Sequence, residues 1–165
     1  TSPASTVRPN ASSTLRVSRN LDLGLNLSSG KAIFKRFNTC SPLVDCTGHR
    51  LPYAPDFTSA LTLNYRWASP SLAGRLDLYG EASYRGSTFM DPENYPDTQA
   101  VPAHTLVNLR ATYSSRDSRW SAALWVHNAA NSQPVTGRGR DFLGTLFSGY
   151  QTPRTYGLEL KYAFD

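Results

Sequence analysis

The sequence predicts an all-β fold, an antiparallel meander of about seven strands, and three observations support this. Apolar and polar residues alternate along most of the chain, as side chains do at successive positions of a strand. Charged residues fall mainly on one of the two faces that the alternation defines. Short and long connections alternate along the chain. In no segment do apolar residues recur with the helical period of about 3.6 residues.

Seven segments carry the alternation. Within residues 57–67, for example, Leu61 and Leu63 share one face, whereas Thr62 and Asn64 share the other. The first segment, residues 13–19, is predicted as a partial strand. The other six are residues 21–28, 57–67, 75–89, 107–114, 120–127 and 155–164. Most of them approach the length of a tilted strand that crosses a bilayer, about 9–11 residues.

The connections differ in length at the two ends of the predicted sheet. Residues 68–74 and 114–119 are short and contain Ser, Pro, Gly or Asp, as turns do. Residues 38–56, 90–104 and 132–154 are long. Short turns at one end and long loops at the other are typical of outer-membrane β-barrels. We therefore expect transmembrane strands.

Charged side chains on one face favour a water-filled lumen. In a dry protein core without partners, such charges cost several kcal/mol each, whereas a wet lumen accepts them. An ordinary sheet with one solvated face is the alternative. The side chains predicted to face the lumen are Arg66, Asp77, Glu81, Arg85, Arg110, Glu159 and Lys161.

Aromatic residues stand near the ends of the predicted strands, where the interfacial girdles of membrane barrels form. The general preference of aromatic residues for strands is the alternative explanation. Those towards the short turns are Trp67, Tyr113, Trp120, Tyr162 and Phe164, and those towards the long loops are Tyr84 and Phe89.

Composition and charge argue against several classes of protein. The net charge is +5, but the basic residues are scattered, and a nucleic-acid surface needs clustered cations. No apolar stretch approaches the roughly 18 residues of a membrane helix. No signal peptide precedes the first strand, so we expect a mature chain or a fragment.

No residues are arranged for catalysis, so the sequence predicts neither an enzyme nor a cofactor. A Ser, His and acid triad at a recognisable spacing is absent, and so is a Gly-rich nucleotide loop. His49, His104 and His127 are the only histidines. An outer-membrane hydrolase is an alternative, because barrels with lipase activity exist as a class.

Cys40 and Cys46 are predicted to form a disulfide, a bond that persists outside the cytosol. Free thiols and a metal site with His49 are the alternatives. Three carboxylates also cluster in residues 91–97, but the spacing of an EF-hand calcium loop is absent. A solvated loop is the favoured interpretation, and no metal site is predicted.

The long loops carry candidate ligand-binding residues. Two arginines within residues 137–141 suit an anionic ligand or a lipopolysaccharide phosphate. Aromatic side chains in the same loops suit a ligand with rings or sugars. A flexible polar loop is the alternative. The candidates are Tyr95, Arg138, Arg140, Phe142 and Tyr150.

Four stretches together resemble the late barrel strands of TonB-dependent receptors. They are GHRLPYAPDFTSALTLNYRW (48–67), LDLYGEASYRGSTFMDPEN (76–94), PAHTLVNLRATYSSRDSRWSAALWVHNAAN (102–131) and PRTYGLELKYAF (153–164). Asn128 stands where that family commonly has an asparagine. The resemblance spans residues 20–165, whereas residues 1–19 match poorly.

The resemblance implies that the chain is the C-terminal segment of an outer-membrane β-barrel of about 22 strands, a fragment without the N-terminal plug. The receptor would take up a scarce solute such as a ferric siderophore, a cobalamin or an oligosaccharide. Its implied partners are outer-membrane lipid, lipopolysaccharide, a small-molecule ligand and, through the plug, the TonB complex. The sequence does not identify the solute.

The resemblance also implies an orientation. The last strand of these receptors ends in the periplasm at an aromatic residue that the barrel-assembly machinery reads, and Phe164 matches it, with Asp165 after it. The C-terminus and the short turns would then be periplasmic. The long loops, with Cys40 and Cys46, would be extracellular. The alternative to a receptor is a small autonomous β-barrel, either in the outer membrane or soluble and ligand-binding.

Overall fold

The computed structural model describes residues 5–6, 10–69, 73–140, 143 and 145–164. Its main feature is an antiparallel sheet of seven strands, in which each strand pairs with the next one along the chain. This confirms the predicted all-β meander. The strands are β1 (Asn10–Arg16), β2 (Leu21–Ser29), β3 (Phe57–Ser69), β4 (Gly74–Arg85), β5 (His104–Ser115), β6 (Trp120–His127) and β7 (Thr155–Tyr162).

The first strand lies earlier in the chain than residues 13–19, where it was predicted. The reason is a turn at residues 17–20, in which the Val17 N–H donates to the Leu21 carbonyl at 2.9 Å. The Ser18 hydroxyl accepts the N–H groups of Asn20 and Leu21 at 3.2 and 3.1 Å. A serine side chain that bonds to nearby backbone in this way competes with strand pairing. The strand therefore ends at Arg16.

The segment predicted as one strand over residues 75–89 is divided in two. β4 ends at Arg85 because its neighbour β3 begins at Phe57, and the Gly86 N–H donates to the Phe57 carbonyl at 2.9 Å. Beyond that point no partner strand continues, and Thr88–Phe89 pairs with Ala100–Val101 instead. Phe89 therefore belongs to a loop and not to the main sheet.

The long loops contain small elements of their own. Ser5–Thr6 pairs with Ala32–Ile33, and Val135–Arg140 forms a hairpin with Leu146–Tyr150. A single helical turn, Pro96–Gln99, begins with a proline at its first position, where the missing N–H costs nothing. Within the described residues, no helix combines the length and the apolar character that crossing a membrane requires.

Burial is concentrated in the loops and not in the sheet. Met90, Val101 and Val135 pack together as a small apolar core, and Cys46 is fully buried. Ala123 is the only residue of the seven strands that is buried, within the part of the chain that the structure describes. The densest packing is therefore at the long-loop end, and both faces of the sheet are largely open.

Candidate functional site

The sheet has two chemically different faces, because directly paired residues of an antiparallel sheet share a face. One row across all seven strands defines the apolar face: Leu15, Leu23, Leu63, Gly80, Leu109, Val126 and Tyr156. The adjacent row defines the polar face: Arg16, Asp22, Asn64, Tyr79, Arg110, Trp125 and Gly157. The predicted alternation thus holds from one edge of the sheet to the other.

Each of the seven strands has at least one exposed apolar side chain on this face, and exposure is greatest on the last strand. Leu124 and Leu158 are each 63 % exposed, and Leu160 is 71 % exposed. Soluble monomers rarely expose a contiguous apolar patch of more than a few hundred Å². A face of this kind is suited to an apolar surrounding such as lipid.

Aromatic side chains meet at the short-turn end of the apolar face. The rings of Tyr113 and Trp120 lie 5.1 Å apart, and Trp120 is paired in register with Tyr162. The Tyr162 and Phe164 rings are 4.9 Å apart. Contacting rings at one level are the arrangement expected of an interfacial girdle.

The opposite end of the apolar face has a smaller aromatic contact. The Phe57 and Tyr84 rings lie 6.0 Å apart. Phe89 was expected beside them but lies in the loop, where the Arg50 guanidinium stacks 5.6 Å from its ring centre. Its assignment to a girdle was wrong because β4 ends four residues before it.

All seven side chains predicted to face a lumen occupy the polar face. Arg66 is paired directly with Asp77, and Arg110 lies between Tyr79 and Trp125 in register. The others follow from the same register: Glu81 and Arg85 on β4, and Glu159 and Lys161 on β7.

Glu159 is the centre of an ion-pair network on this face. Arg110 donates to its Oε2 at 2.9 Å, and Lys161 Nζ lies 2.6 Å from its Oε1. Arg110 also donates to the Thr112 hydroxyl at 3.3 Å. These side chains are partly exposed, so each pair contributes on the order of 0.2–1 kcal/mol. Their main effect is to compensate the charge of the Glu159 carboxylate.

A second set of pairs lies near the short turns. Asp22 accepts from Arg16 at 3.2 Å and from Arg66 on the other side. Arg75 donates to Asp77 at 2.7 Å. The charges along this part of the polar face are thus largely satisfied by the sheet itself.

The described parts of residues 30–56, 86–103 and 128–154 form what we name the loop cap. Arg50 joins its first two segments, because the guanidinium donates to the Ser87 carbonyl at 2.8 Å and lies 3.3 Å from the Asp56 carboxylate. The Tyr53 N–H also donates to the Phe89 carbonyl at 2.8 Å. These two loops are therefore held together as one structure.

Asn128 ties the two ends of the last long loop together. Its Nδ2 donates to the carbonyls of Ser132 and Thr152 at 2.7 and 3.0 Å, and its Oδ1 accepts the Ser132 N–H at 2.9 Å. Its own N–H donates to Asn108 Oδ1 at 3.1 Å. It is buried at a φ of 52°, which asparagine tolerates better than most residues. The asparagine that the family resemblance singled out thus closes this loop.

Cys40 and Cys46 are joined by a disulfide, with their Cα atoms 6.0 Å apart. Between them, Asp45 accepts the Thr47 N–H at 2.8 Å. Hydrogen bonds from the Thr47 side chain and backbone lower the pKa of the Asp45 carboxyl. The small ring is therefore fixed by covalent and hydrogen bonds at once.

The candidate ligand-loop residues are only partly brought together. Arg138 Nη1 donates to the Asp97 carbonyl at 3.1 Å, which places it near the helical turn that follows Tyr95. Tyr150 is 62 % exposed on the same hairpin as Arg138. Arg140 lies on that hairpin too, but its side chain is outside the described part of the structure, and Phe142 is outside it altogether.

The histidines are held by backbone or aromatic groups. The Nδ1 atoms of His49 and His104 lie 3.0 and 3.1 Å from the carbonyls of Pro92 and Pro102. The His127 ring packs 4.8 Å from Trp125. Across the described residues, no group of three or more His, Cys, Asp or Glu side chains is placed to hold a metal ion.

A cleft at the loop end of the polar face was not anticipated from the sequence. It has a volume of about 710 Å³ and is lined by side chains from five strands and by Gln151 of the loop cap. Among them are Asn26, Ser83, Arg85 and His104. Sequence patterning identified Arg85 as a polar-face residue, but it contains no signal for the convergence of distant segments.

Comparison with protein families matches most of the chain to a known family. The model described as TonB dependent receptor-like, beta-barrel matches residues 10–129. The match begins in β1, earlier than residue 20, where the resemblance became visible in the sequence. No curated protein matches the chain.

Solved structures of ferric-complex receptors share the fold at low sequence identity. The ferric yersiniabactin uptake receptor FyuA from Yersinia pestis superposes with a TM-score of 0.82 at 14 % identity, over 98 % of this chain and 24 % of that chain. The ferric preacinetobactin receptor BauA from Acinetobacter baumannii gives 0.69 at 19 %, over 98 % and 23 %. The ferripyoverdine receptor of Pseudomonas aeruginosa gives 0.67 at 17 %, over 96 % and 19 %. The chain thus spans less than a quarter of the length of these receptors.

Proposed function

We propose a transport function for this chain, which belongs to the TonB-dependent receptor-like β-barrel family. This membership confirms the resemblance seen in the sequence. Proteins of the family are outer-membrane transporters of Gram-negative bacteria and not enzymes. The role proposed for this chain is to form part of the barrel wall through which a receptor takes up a scarce solute.

The observation that best supports this proposal is the division of the sheet into an apolar face and a polar face. An exposed leucine such as Leu124 has a favourable surrounding in lipid, where each buried CH₂ group contributes about 0.8 kcal/mol. The opposite face holds the network of Arg110, Glu159 and Lys161, which suits a water-filled interior. A barrel wall in a membrane needs both surfaces at once.

The sheet edges support a larger closed barrel. Within the described residues, β1 and β7 each have one edge without a partner, and lipid does not tolerate open edges. Since neighbouring strands alternate in direction, the first and seventh run the same way and cannot pair antiparallel. Closure of an antiparallel barrel therefore requires an odd number of additional strands between them. A barrel of about 22 strands meets this condition.

The proposed orientation places the short turns and Phe164 in the periplasm. Phe164 is 88 % exposed beside Tyr162, where the barrel-assembly machinery would reach it. The loop cap, with the Cys40–Cys46 disulfide, would face the outside and lipopolysaccharide. Contact with the TonB complex would be made through a plug domain inside the barrel.

A ferric siderophore is the solute we propose, in preference to a cobalamin or an oligosaccharide. Three structures with the same fold are described as receptors for ferric yersiniabactin, ferric preacinetobactin and ferripyoverdine. The candidate ligand residues Tyr95, Arg138 and Tyr150 lie in the loop cap, on the side from which such a ligand would arrive.

Uptake by iron-limited cells tests the function. The gene is disrupted in its own bacterium, and accumulation of radioactive iron is measured with ferric hydroxamate, catecholate and citrate complexes, beside labelled cyanocobalamin. We expect disruption to abolish uptake of one ferric complex and the intact gene to restore it. Unchanged uptake of every ferric complex would contradict the proposal. If cobalamin uptake alone is lost, the solute is a cobalamin and not a ferric siderophore.

A small autonomous barrel is less compatible with the observed pairing. It would require an additional strand that connects β7 to the N-terminal region. In the part of the chain that is described, Leu158 of β7 pairs with Leu124 of β6, and no strand covers its other side. No observation therefore favours a small autonomous barrel over a segment of a larger barrel.

A further inference from the structure

We infer that Arg85 and His104 form an anion-binding subsite on the barrel wall, at the loop end of the polar face. The ligand group it would take is an oxygen anion, such as a carboxylate, hydroxamate or catecholate. This inference rests on the proposed transport function and deepens it, because it names the group by which the wall itself would hold the solute.

The register brings the two side chains together. Arg85 of β4 is paired directly with His104 of β5 and, on its other side, with Thr58 of β3. Directly opposite residues have Cβ atoms about 4.5–5.5 Å apart, so their side chains project into the same space. Gln151 approaches this space from the end of the last loop.

Charge distinguishes Arg85 from the other cations of the polar face. Each of these lies within ion-pair distance of a carboxylate: Arg16, Arg66, Arg75, Arg110 and Lys161. Arg85 forms no ion pair with any described residue, and its Nη2 donates to the Tyr53 carbonyl at 2.7 Å. A carbonyl does not neutralise the charge, and a guanidinium has further N–H groups to donate. The wall therefore retains a positive charge at its mouth.

The hydrogen bonding of His104 complements this charge. Its Nδ1 lies 3.1 Å from the Pro102 carbonyl, and because a carbonyl only accepts, Nδ1 is the protonated nitrogen. The other ring nitrogen, Nε2, makes no hydrogen bond to a described residue and is available to a ligand hydroxyl, which can both donate and accept. Arg85 and His104 thus place a charged donor beside a free ring nitrogen, which suits an anion that also carries hydroxyl groups.

The surrounding cleft has room for such a ligand. Its volume of about 710 Å³ lies within the 300–1,000 Å³ common for ligand pockets. A second cavity of about 180 Å³ adjoins it and shares Arg85, His104 and Gln151. The three shared side chains therefore stand at the junction of the two spaces, where a ligand that filled either would meet them.

Binding of radioactive ferric citrate to outer membranes that contain the full chain tests the subsite. We expect R85Q to weaken binding about tenfold or more, because a charge-assisted hydrogen bond is lost. H104F, which keeps a ring but has neither ring nitrogen, should weaken it severalfold. R116Q is the matched control, since Arg116 is an exposed cation in the short turn at the opposite end, and it should bind within twofold of the unaltered protein.

Several results would overturn the subsite. These are unchanged affinity of R85Q, equal losses in R85Q and R116Q, and absence of saturable binding to the unaltered protein. If R85Q does not assemble in the membrane, the affinity of H104F is the deciding measurement, and unchanged affinity of H104F also overturns the inference. Normal iron uptake by cells that carry R85Q and H104F together would reject the subsite while the transport function stands.

Discussion

The side-chain amide of Asn94 pairs with the main chain of Arg50 as a neighbouring strand would. The Arg50 N–H donates to Asn94 Oδ1 at 2.7 Å, and Asn94 Nδ2 donates to the Arg50 carbonyl at 3.0 Å. One residue thereby replaces a pair of backbone hydrogen bonds between two loops that are 44 positions apart in sequence. Asn94 adopts a φ of 58°, which its short polar side chain tolerates.

Substitution N94G should release the first two loops of the loop cap from each other. Glycine accepts the same backbone conformation, so the change adds no strain. It removes the two hydrogen bonds to Arg50, and with them the contacts of Asn94 Nδ2 with the Asp91 and Pro92 carbonyls in its own loop. Bonds of this kind contribute about 1–3 kcal/mol when they are partly buried, and we expect the Arg50 amide to exchange with deuterium about tenfold faster. The control is N38G, at an exposed asparagine of the same loop. Equal exchange at Arg50 in N94G and the unaltered protein would show that the amide does not join the loops.

Leu63 and Asn64 provide a direct test of which face meets lipid, because they are neighbours in β3 on opposite faces. An arginine near the middle of the bilayer costs about 2–4 kcal/mol on the lipid face of a barrel. We therefore expect L63R to reduce assembly in the outer membrane strongly and N64R to have little effect. The measurement is the fraction of heat-modifiable, folded protein in membrane extracts. The assignment of the faces fails if N64R is the more damaging change.

Gly157 of β7 lies directly opposite Trp125 of β6, and the indole covers the glycine. A Cβ at this position would lie 2.6 Å from Trp125 Cε2, so G157A must displace the ring. We expect a loss of about 1–3 kcal/mol in stability, as for other overpacked sites. Urea denaturation in detergent, followed by tryptophan fluorescence, measures it. G137A should be close to neutral, because a Cβ there meets no atom within 4 Å, and similar losses in both variants would exclude the indole as the cause.

Asp117 should make the turn between β5 and β6 sensitive to acid. The Ser115 hydroxyl and the Arg119 N–H donate to its carboxylate at 2.6 and 3.1 Å, and these bonds lower the pKa of Asp117 below its ordinary 3.8. Since the folded pKa is depressed, the stabilisation is complete above pH 3.8 and is lost as the pH falls through the folded value. NMR titration of the Asp117 carboxyl carbon should give a midpoint below 3.8, with faster amide exchange at Arg119 in the same range. In D117N the amide exchange at Arg119 should no longer change with pH in this range. If the acid transition persists in D117N, another group is responsible for it.

The sequence could predict the sheet but not its exact ends. The alternation of Leu61 and Leu63 with Thr62 and Asn64 fixed the two faces, because strand geometry has a period of two. The end of β4 at Arg85 depended on where β3 begins, which is a property of the pair and not of either segment. Phe89 was misplaced for that reason.

What the sequence alone determined about this protein is the chemistry of its surfaces: which side chains share a face, and that one face is apolar while the other is charged. These follow from local geometry, which acts between neighbouring positions of the chain. Only the tertiary structure decided that Arg85 would lie beside His104 and Gln151 without a carboxylate, and that Asn94 would bond Arg50. The first relationship depends on strand register and the second on contacts between two loops. Both are interactions between distant segments of the chain, which no local sequence pattern encodes.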